Sequence, residues 1–228
     1  LKNMKTFLWL SLIALFPVVL SALIYLTERT KAASKMSYIA RQVITGIMFG
    51  GLAILGTEFG IKIDGAIINA RDASPICAGL LFGAPAGIIA GIIGGVERWL
   101  AVIWGAGEYT QLACSVSTVL AGAFAAALRK YMFDNKKPKW YYCLAIAVIT
   151  EIVHMLMIFL TNMNDVRTAF SFVRICSLPM IVVNGLAVML AGALLSLLSV
   201  REHKTAHHDL KNISQSFQRF LLVCVTAG

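Results

Sequence analysis

Six long apolar runs, separated by short polar connections, make up most of the chain. A helix that spans a bilayer needs about 20 mostly apolar residues, so each run predicts one spanning helix. The runs cover roughly residues 6–26, 38–60, 76–96, 112–131, 141–161 and 175–199. The pattern therefore predicts an all-α protein, a polytopic membrane bundle of about six transmembrane helices with a glycine-rich third helix.

The stretch 64–75, between the second and third runs, is too polar to face lipid and too apolar for an ordinary loop. Non-helical backbone at membrane depth is tolerated only where protein covers it or where it lines a wet cavity. We therefore expect this stretch to be covered inside the bundle. Pro85 interrupts the third run and predicts a kink there, because proline removes a helical hydrogen bond.

The connections give an expected orientation, because lysine and arginine are concentrated in cytoplasmic loops. The connection between the fourth and fifth runs is strongly basic and holds Arg129, Lys130, Lys136, Lys137 and Lys139. With six spans, both chain ends then face the cytoplasm. The first connection would then lie outside the cell. This is against the rule, because the connection holds Arg29, Lys31, Lys35 and Arg41.

The composition changes abruptly after the sixth run. We expect a transmembrane domain over 1–200, a polar juxtamembrane linker over 201–219, and the start of a further hydrophobic segment over 220–228. A natural membrane protein seldom ends nine residues into an apolar run, so the pattern predicts a truncated seventh segment and a fragment of a longer protein.

Composition supports a membrane protein whose main partner is the lipid bilayer. Of the 228 residues 59% are hydrophobic and 14% are charged, with a mean hydropathy of +0.80; soluble domains have about 25% charged residues. The net charge of +9 comes mainly from the connections between runs, so it indicates no nucleic-acid partner. The five cysteines form no CxxC pair, which argues against a zinc site or a disulfide framework.

Two arginines bracket a glycine ladder in the most apolar part of the chain. Arg71 and Arg98 flank five glycines at a spacing of four, which are Gly79, Gly83, Gly87, Gly91 and Gly95. Arginine at membrane depth is costly unless it is paired, hydrated or functional, and regularly spaced glycines let two helices pack closely. We expect a tightly packed cavity that carries fixed positive charge, and an anion site is the leading interpretation.

A structural interpretation remains open for each of these features. Arg71 could pair with Asp72 or Asp64 and cap a helix end. Arg98 could extend to the membrane surface from the end of its helix, where a cation is favoured by the helix dipole. The ladder by itself is more often a packing surface than a binding surface.

Further polar residues fall at spacings that place them together. Asn69 and Arg71 share one face of an extended segment, and Cys114 and Ser117 share one face of the fourth helix. They could line a ligand cavity or bond only to neighbouring helices.

A second polar group lies in the last two runs. Glu151 and His154 form an i, i+3 pair deep in the fifth run, where they could relay protons, bind a metal or form a buried hydrogen-bonded pair. No second acid–histidine set accompanies them, so no metal site is expected. Asn184, in the sixth run, could join helices. Together Glu151, His154 and Asn184 form a candidate polar network.

Several motifs together resemble the LytS-type five-transmembrane sensor family over residues 40–198. They are residues 46–60, the Asn-Ala-Arg triplet 69–71, Gly79 to Gly87 leading to Arg98, residues 114–118, residues 151–155 and residues 178–184. The resemblance implies a membrane input domain of a bacterial signalling protein, in the inner membrane, which feeds a downstream cytoplasmic kinase, cyclase or phosphatase domain.

Members with similar arginine, cysteine and serine motifs sense small carboxylates such as pyruvate. By that resemblance Arg71 and Arg98 would hold a carboxylate, with Asn69 beside them, while Cys114 and Ser117 would contact the rest of the ligand. His154 stands where a glutamine is common in the family. A homodimer is expected only by analogy with other signalling inputs.

Two other functions are compatible with the pattern. A small-molecule transporter, or its substrate-binding membrane subunit, would also need six helices around a polar pocket, and a scaffold subunit could use the glycine ladder as a dimer face. No Walker loop, nucleophile elbow or paired carboxylates in a polar domain occur, so we expect no enzyme within these residues and no cofactor.

Overall fold

The computed structural model describes residues 2–30, 35–63, 66–105 and 107–226, and it is a helical bundle. The helices are α1 (Lys2–Thr27), α2 (Tyr38–Glu58), α3 (Ala73–Phe82), α4 (Ala84–Leu100), α5 (Gln111–Tyr131), α6 (Trp140–Thr161) and α7 (Val166–Thr226). Strands β1 (Ile61–Ile63) and β2 (Ala66–Ile68) pair antiparallel between α2 and α3. Short 3₁₀ turns at Ala101–Trp104, Glu108–Thr110 and Met163–Asp165 join the later helices.

The predicted all-α membrane bundle is confirmed. Six helical stretches of the described chain are long and apolar enough to cross a membrane, and they lie close to the six apolar runs. They are Leu8–Thr27, Tyr38–Glu58, Ala84–Trp104, Glu108–Tyr131, Trp140–Thr161 and Met163–Val200. Many of their large apolar side chains are exposed on the outside of the bundle, as lipid contact requires.

The third run is not one helix, which corrects the expected span 76–96. The short helix α3 closes with a π-helical turn and ends at Phe82, and α4 begins at Ala84. Gly83 lies between them with φ of +156°, a conformation that residues with a side chain rarely adopt. The interruption of the third run expected at Pro85 is present, but as a break at Gly83 and not as a kink. Pro85 lies in the first turn of α4, where its missing N–H would be unpaired anyway.

Gln42 of α2 closes this break between α3 and α4. Its Nε2 donates to the carbonyl of Phe82 at 3.1 Å, and its Oε1 accepts from the backbone N–H of Ala86 at 3.3 Å. Backbone groups left without helical partners in an apolar environment cost several kcal/mol each unless they are satisfied. The buried Gln42 therefore stabilises a chain break that would otherwise be unfavourable at this depth.

The glycine ladder is divided between two helices, with Gly79 in α3 and three of its members in α4. A Cβ atom at Gly87 would lie 2.5 Å from the Cα of Gly79 and 2.9 Å from the carbonyl oxygen of Gly122 in α5. At Gly95 it would lie 2.8 Å from the carbonyl oxygen of Ser115, also in α5. The ladder thus lets α3, α4 and α5 approach backbone to backbone.

The helix ends fall into two groups, one at each end of the bundle. We call the first the hairpin end, since it contains the β1–β2 hairpin. There the indole of Trp9 donates to the carbonyl of Phe59 at 3.0 Å, the amine of Lys62 to the carbonyl of Gly105 at 3.5 Å, and the hydroxyl of Tyr109 to a backbone carbonyl in the α6–α7 turn at 3.0 Å. The start of α1 and the end of α2 therefore lie together here.

The opposite end, which we call the basic end, brings together three connections. The amine of Lys137 lies 4.2 Å from the ring centre of Tyr25 and 5.8 Å from that of Phe82, and Gln42 bonds to Phe82. The end of α1, the start of α2, the α3–α4 break and the α5–α6 connection therefore meet. Lys35 and Arg41 therefore lie at the same end as Lys136, Lys137 and Lys139.

The expectation that both chain ends face the cytoplasm is wrong on this geometry. Residues 59–82 carry the chain from the hairpin end back to the basic end, and this crossing adds to the six spans. The start of α1 therefore lies at the hairpin end, and the membrane part of α7 reaches the basic end. The first connection no longer violates the positive-inside rule, since it shares one end with the other basic connection.

Helix α7 continues through the boundary expected at residue 200. Its backbone is helical from Val166 to Thr226. The linker 201–219 and the further hydrophobic segment 220–228 stay predictions, and residues 227 and 228 lie outside the described residues.

Candidate functional site

A buried polar cluster forms where the segment between β2 and α3 meets α5 and α6. Asn69 and Arg71 lie on this segment, and both are fully buried, as are Asp72 and the backbone around them. The Oδ1 of Asn69 accepts from the backbone N–H of Arg71 at 3.2 Å, and its Nδ2 donates to the carbonyl of Ile67 at 3.4 Å. Asn69 therefore supports the backbone of the segment that holds Arg71.

Among the described residues, the guanidinium of Arg71 donates hydrogen bonds to four groups from three parts of the chain. Its Nε donates to Thr118 Oγ1 at 2.7 Å and to Asp72 Oδ1 at 3.2 Å, Nη1 donates to Thr57 Oγ1 at 3.4 Å, and Nη2 donates to the carbonyl of Cys114 at 3.4 Å. The pairing with Asp72 that the sequence left open is present. The other candidate, Asp64, lies outside the described residues.

Asp72 is the centre of the cluster. Its Oδ1 also accepts from the hydroxyl of Thr118 at 2.7 Å, and its Oδ2 accepts from His154 Nδ1 at 2.7 Å. A buried carboxylate is tolerated only where charges and donors compensate its lost hydration. Asp72 has an arginine, a hydroxyl and an imidazole for this purpose.

His154 links Asp72 to the thiol of Cys114, which lies 3.3 Å from its Nε2. Glu151 is one turn away on α6, with its Oε2 3.8 Å from His154 Nδ1. Neither carboxylate oxygen of the buried Glu151 has a hydrogen-bond partner among the described residues. The expected pair of Glu151 and His154 is therefore drawn into one cluster with Arg71.

Arg98 reaches the same region from the last turn of α4. Its side chain is fully buried, and its Nη2 donates to the carbonyl of Gly107 at 2.7 Å and to Thr110 Oγ1 at 3.2 Å. Thr110 precedes Cys114, whose carbonyl accepts from Arg71, by four residues, so the two guanidinium groups contact neighbouring turns of the chain. Burial under the residues that follow α4 argues against the interpretation that Arg98 simply extends to the membrane surface.

Ser117 and His154 lie at the base of a groove between α5 and α6, with a volume of about 470 Å³. Apolar side chains such as Leu120, Phe124 and Val153 form its walls. Ser117 is buried, and its hydroxyl has no hydrogen-bond partner among the described residues. The groove therefore places a free hydroxyl next to the cluster.

Asn184 connects the cluster to α7. Its Oδ1 accepts from the backbone N–H of Ala73 at 3.0 Å, and its Nδ2 donates to the carbonyls of Asn69 at 3.3 Å and Met180 at 3.1 Å. The first turn of α3 and the Arg71 segment are thereby held against the last spanning helix.

Residues 24–197 match the family described as 5TMR of 5TMR-LYT. The chain belongs to this family. It is 29% identical to the sensor histidine kinase BtsS of Escherichia coli over 142 residues, which are 60% of this chain and 24% of that protein. It is 31% identical to the sensor protein LytS of Staphylococcus epidermidis over 180 residues, which are 71% of this chain and 28% of that protein.

The sensor histidine kinase YpdA of Escherichia coli is 27% identical over 111 residues, which are 49% of this chain and 19% of that protein. The chain thus spans about a quarter of the length of the curated relatives that it matches. No solved structure matches it significantly.

Membership of the 5TMR-LYT family identifies the bundle as a membrane input domain of bacterial sensor kinases. This agrees with the six spans and with a multi-pass location in the bacterial cell membrane. The match covers the membrane domain and includes no catalytic domain, in line with the expectation that these residues are not an enzyme. The transporter alternative receives no support from the relatives.

A cation at this site of the 5TMR-LYT domain is disfavoured. Asp72, Glu151 and His154 offer three ligand atoms within 4.8 Å of one another, but the guanidinium of Arg71 is bonded directly to Asp72. Its positive charge opposes a metal ion at the same carboxylate. The expectation of no metal site stays a prediction.

Some residues that hold the cluster or the helix break in place were not singled out from the sequence. Thr57 and Thr110 contact the two guanidinium groups, and Gln42 closes the α3–α4 break. These residues were hard to recognise from the sequence, because isolated hydroxyl and amide side chains in spanning helices usually bond to backbone nearby.

Proposed function

We propose that this chain is a membrane-embedded signal-input domain that binds a small carboxylate, with pyruvate as the first candidate, and relays a helix rearrangement to a downstream effector domain. The observation that carries the proposal is the convergence of Arg71 and Arg98, both fully buried and on different elements, on the start of α5 and the turn just before it. Buried arginine in a membrane domain is costly and marks functional sites.

A carboxylate would improve on the present partners of the two Nη atoms of Arg71. These atoms donate to neutral oxygens at 3.4 Å, the long end of the hydrogen-bond range. Charge-assisted bonds from guanidinium to carboxylate are shorter and about twice as strong as neutral ones. Cys114 and Ser117, on the adjacent face of α5, would contact the rest of the ligand.

The location of Arg98 indicates the side from which the ligand arrives. Arg98 bonds to Gly107 and Thr110, which belong to the hairpin end of the bundle. Because the basic end is the cytoplasmic one by the positive-inside rule, the cluster lies nearer to the external face. A metabolite outside the cell is therefore the signal that we propose.

Relay to the effector would follow the segment that holds Arg71. A ligand that draws Arg71 and Arg98 together favours one packing of α3 and α4 over another, and it shifts their populations by its differential affinity. Asn184 joins this segment to α7, and α7 leaves at the basic end. The relatives named sensor histidine kinases support a kinase as effector, and a homodimer is the assembly we expect by analogy.

Binding of pyruvate to the purified protein in lipid nanodiscs tests the proposal by calorimetry. Replacing Arg71→Lys or Arg98→Gln removes bidentate charge-assisted bonds worth about 1.5–3 kcal/mol each, so we expect affinity to fall about 10- to 100-fold. Arg129→Gln is the matched control, because Arg129 is a buried arginine at the other end of α5 that donates to the carbonyl of Leu80 at 2.8 Å. Equal affinity in all four proteins would contradict the proposal.

A further inference from the structure

Cys114, His154 and Asp72, from three parts of the chain, are joined by two consecutive side-chain contacts. The Cys114 thiol is 3.3 Å from His154 Nε2, and His154 Nδ1 is 2.7 Å from Asp72 Oδ2. A thiol beside an imidazole whose second nitrogen is held by a carboxylate is the arrangement that activates a cysteine nucleophile. The arrangement of the three groups is therefore suited to activating the thiol of Cys114.

The carboxylate of Asp72 is held in place by other donors, and it therefore fixes the orientation of the His154 ring. Asp72 accepts from Arg71 at 3.2 Å and from Thr118 at 2.7 Å. Since an ionised carboxylate can only accept, His154 Nδ1 carries a proton, and Nε2 is the nitrogen that exchanges a proton with the thiol.

The other described cysteines lack this environment. Cys143 contacts only the carbonyl of Pro138, at 4.0 Å, among the hydrogen bonds of the described residues. Cys77 and Cys176 are buried among apolar neighbours of the core. The imidazole of His154 contacts Cys114 alone among them.

A donor for a developing oxyanion is present on the same helix face. Ser117 is one turn from Cys114, it is buried, and its hydroxyl has no partner among the described residues. It lines the groove between α5 and α6 together with His154. A buried hydroxyl without a partner is costly in this environment unless a ligand completes it.

We propose that Cys114, assisted by His154 and Asp72, adds reversibly to the ketone carbon of a 2-oxo carboxylate held by the buried arginines. This rests on the proposed function and names its ligand class. The Cys114 proton passes to His154 Nε2, the sulfur forms a bond to the ketone carbon, and the π electron pair moves to the oxygen. That oxygen then takes the proton from Nε2, which gives a neutral hemithioketal with no oxidant or reductant consumed.

Such a site distinguishes ligands by their chemistry rather than by shape. A 2-hydroxy carboxylate offers the same carboxylate to the arginines but has no electrophilic carbon. Pyruvate and lactate, which differ in this respect and little in size, form the matched ligand pair. Covalent capture predicts tighter binding of pyruvate, and removal of the sulfur should make the two affinities similar.

Carbon-13 NMR of pyruvate labelled at its ketone carbon tests the adduct directly. With the wild-type protein in nanodiscs we expect a protein-bound signal in the tetrahedral-carbon range. It should be absent from Cys114→Ser and retained in Cys77→Ser, which removes another buried thiol. Pyruvate that binds the wild type with only a ketone signal overturns the adduct and leaves the proposed function standing. Binding of neither pyruvate nor lactate overturns both.

The role of His154 has its own measurement, which needs no ligand. Alkylation of Cys114 by iodoacetamide at neutral pH, located by mass spectrometry, should slow about a hundredfold in His154→Gln, since a positioned base contributes about 10²–10⁴-fold. Equal alkylation rates in wild type and in a His154→Gln protein with the wild-type circular dichroism spectrum would overturn the activation of the thiol.

Discussion

At the scale of single residues, the charge of Asp72 is balanced by direct contact. Arg71 and His154 approach Asp72 from two elements, at 3.2 and 2.7 Å, and all three side chains are fully buried. Removing one partner of such a group leaves an uncompensated charge in a low-dielectric environment, which costs more than the original interaction contributed. Asp72 therefore controls whether the site can exist without a ligand.

We expect Asp72→Asn to lower the free energy of unfolding by about 3–5 kcal/mol, because Arg71 loses its anionic partner. Unfolding in mixed detergent micelles, followed by circular dichroism, measures this change. Asp165→Asn is the control, since Asp165 is exposed and accepts from the backbone N–H of Thr168, a capping role that asparagine also fills. Equal stability of the two variants would contradict this account of Asp72.

At the scale of elements, the site depends on a backbone crossing between α4 and α5. Gly87 and Gly122 face each other there, and neither position has room for a side chain. The crossing brings the first turns of α5, with Cys114 and Thr118, against the segment that holds Arg71. Close packing of small residues thus acts indirectly, by placing the polar cluster.

A methyl group at this crossing should separate the helices. In Gly122→Ala the new Cβ would collide with the carbonyl oxygen of Gly87, and we expect a loss of about 1–3 kcal/mol of stability. Gly51→Ala in α2 is the matched control, because nothing lies within 4 Å of that position; alanine there should gain about 0.5–1 kcal/mol. Thermal unfolding of the detergent-solubilised proteins compares them, and a neutral Gly122→Ala would refute the tight crossing.

At the scale of the whole molecule, the number of crossings decides which connections share a face. The hairpin and α3 together carry the chain across, so the connection after α1 and the connection after α5 lie at the same end. The site lies near the opposite end, beside Gly107 and Thr110. A signal from outside can thus reach α7, which leads to the basic end.

Labelling of single introduced cysteines with a membrane-impermeant maleimide tests this topology. We expect Lys62→Cys, at the hairpin end, to react in intact cells. Lys35→Cys and Lys136→Cys, both exposed at the basic end, should react only after permeabilisation. The unmodified chain gives the background from native cysteines. Reaction of Lys35→Cys and Lys136→Cys from different sides would contradict the shared end.

Much of the architecture could be predicted from local sequence. The six spans could be predicted in this way, because bilayer thickness sets a minimum apolar length that each segment must meet by itself. The burial of residues 67–75, the larger part of the predicted stretch 64–75, followed from the same environment, since polar irregular backbone cannot face lipid. Arg71, Arg98 and the Glu151–His154 pair stood out because charge at membrane depth is rare.

Only the tertiary structure decided how these pieces meet. The contact of His154 with Asp72 joins residues 82 positions apart, and the break at Gly83 exists because Gln42 of another helix satisfies its backbone. A hairpin followed by a ten-residue helix is shorter than a spanning helix. The apolar pattern therefore did not predict that this part of the chain crosses the bundle. Spans depend on each segment's own affinity for lipid, whereas pairings and crossings depend on which segments pack together.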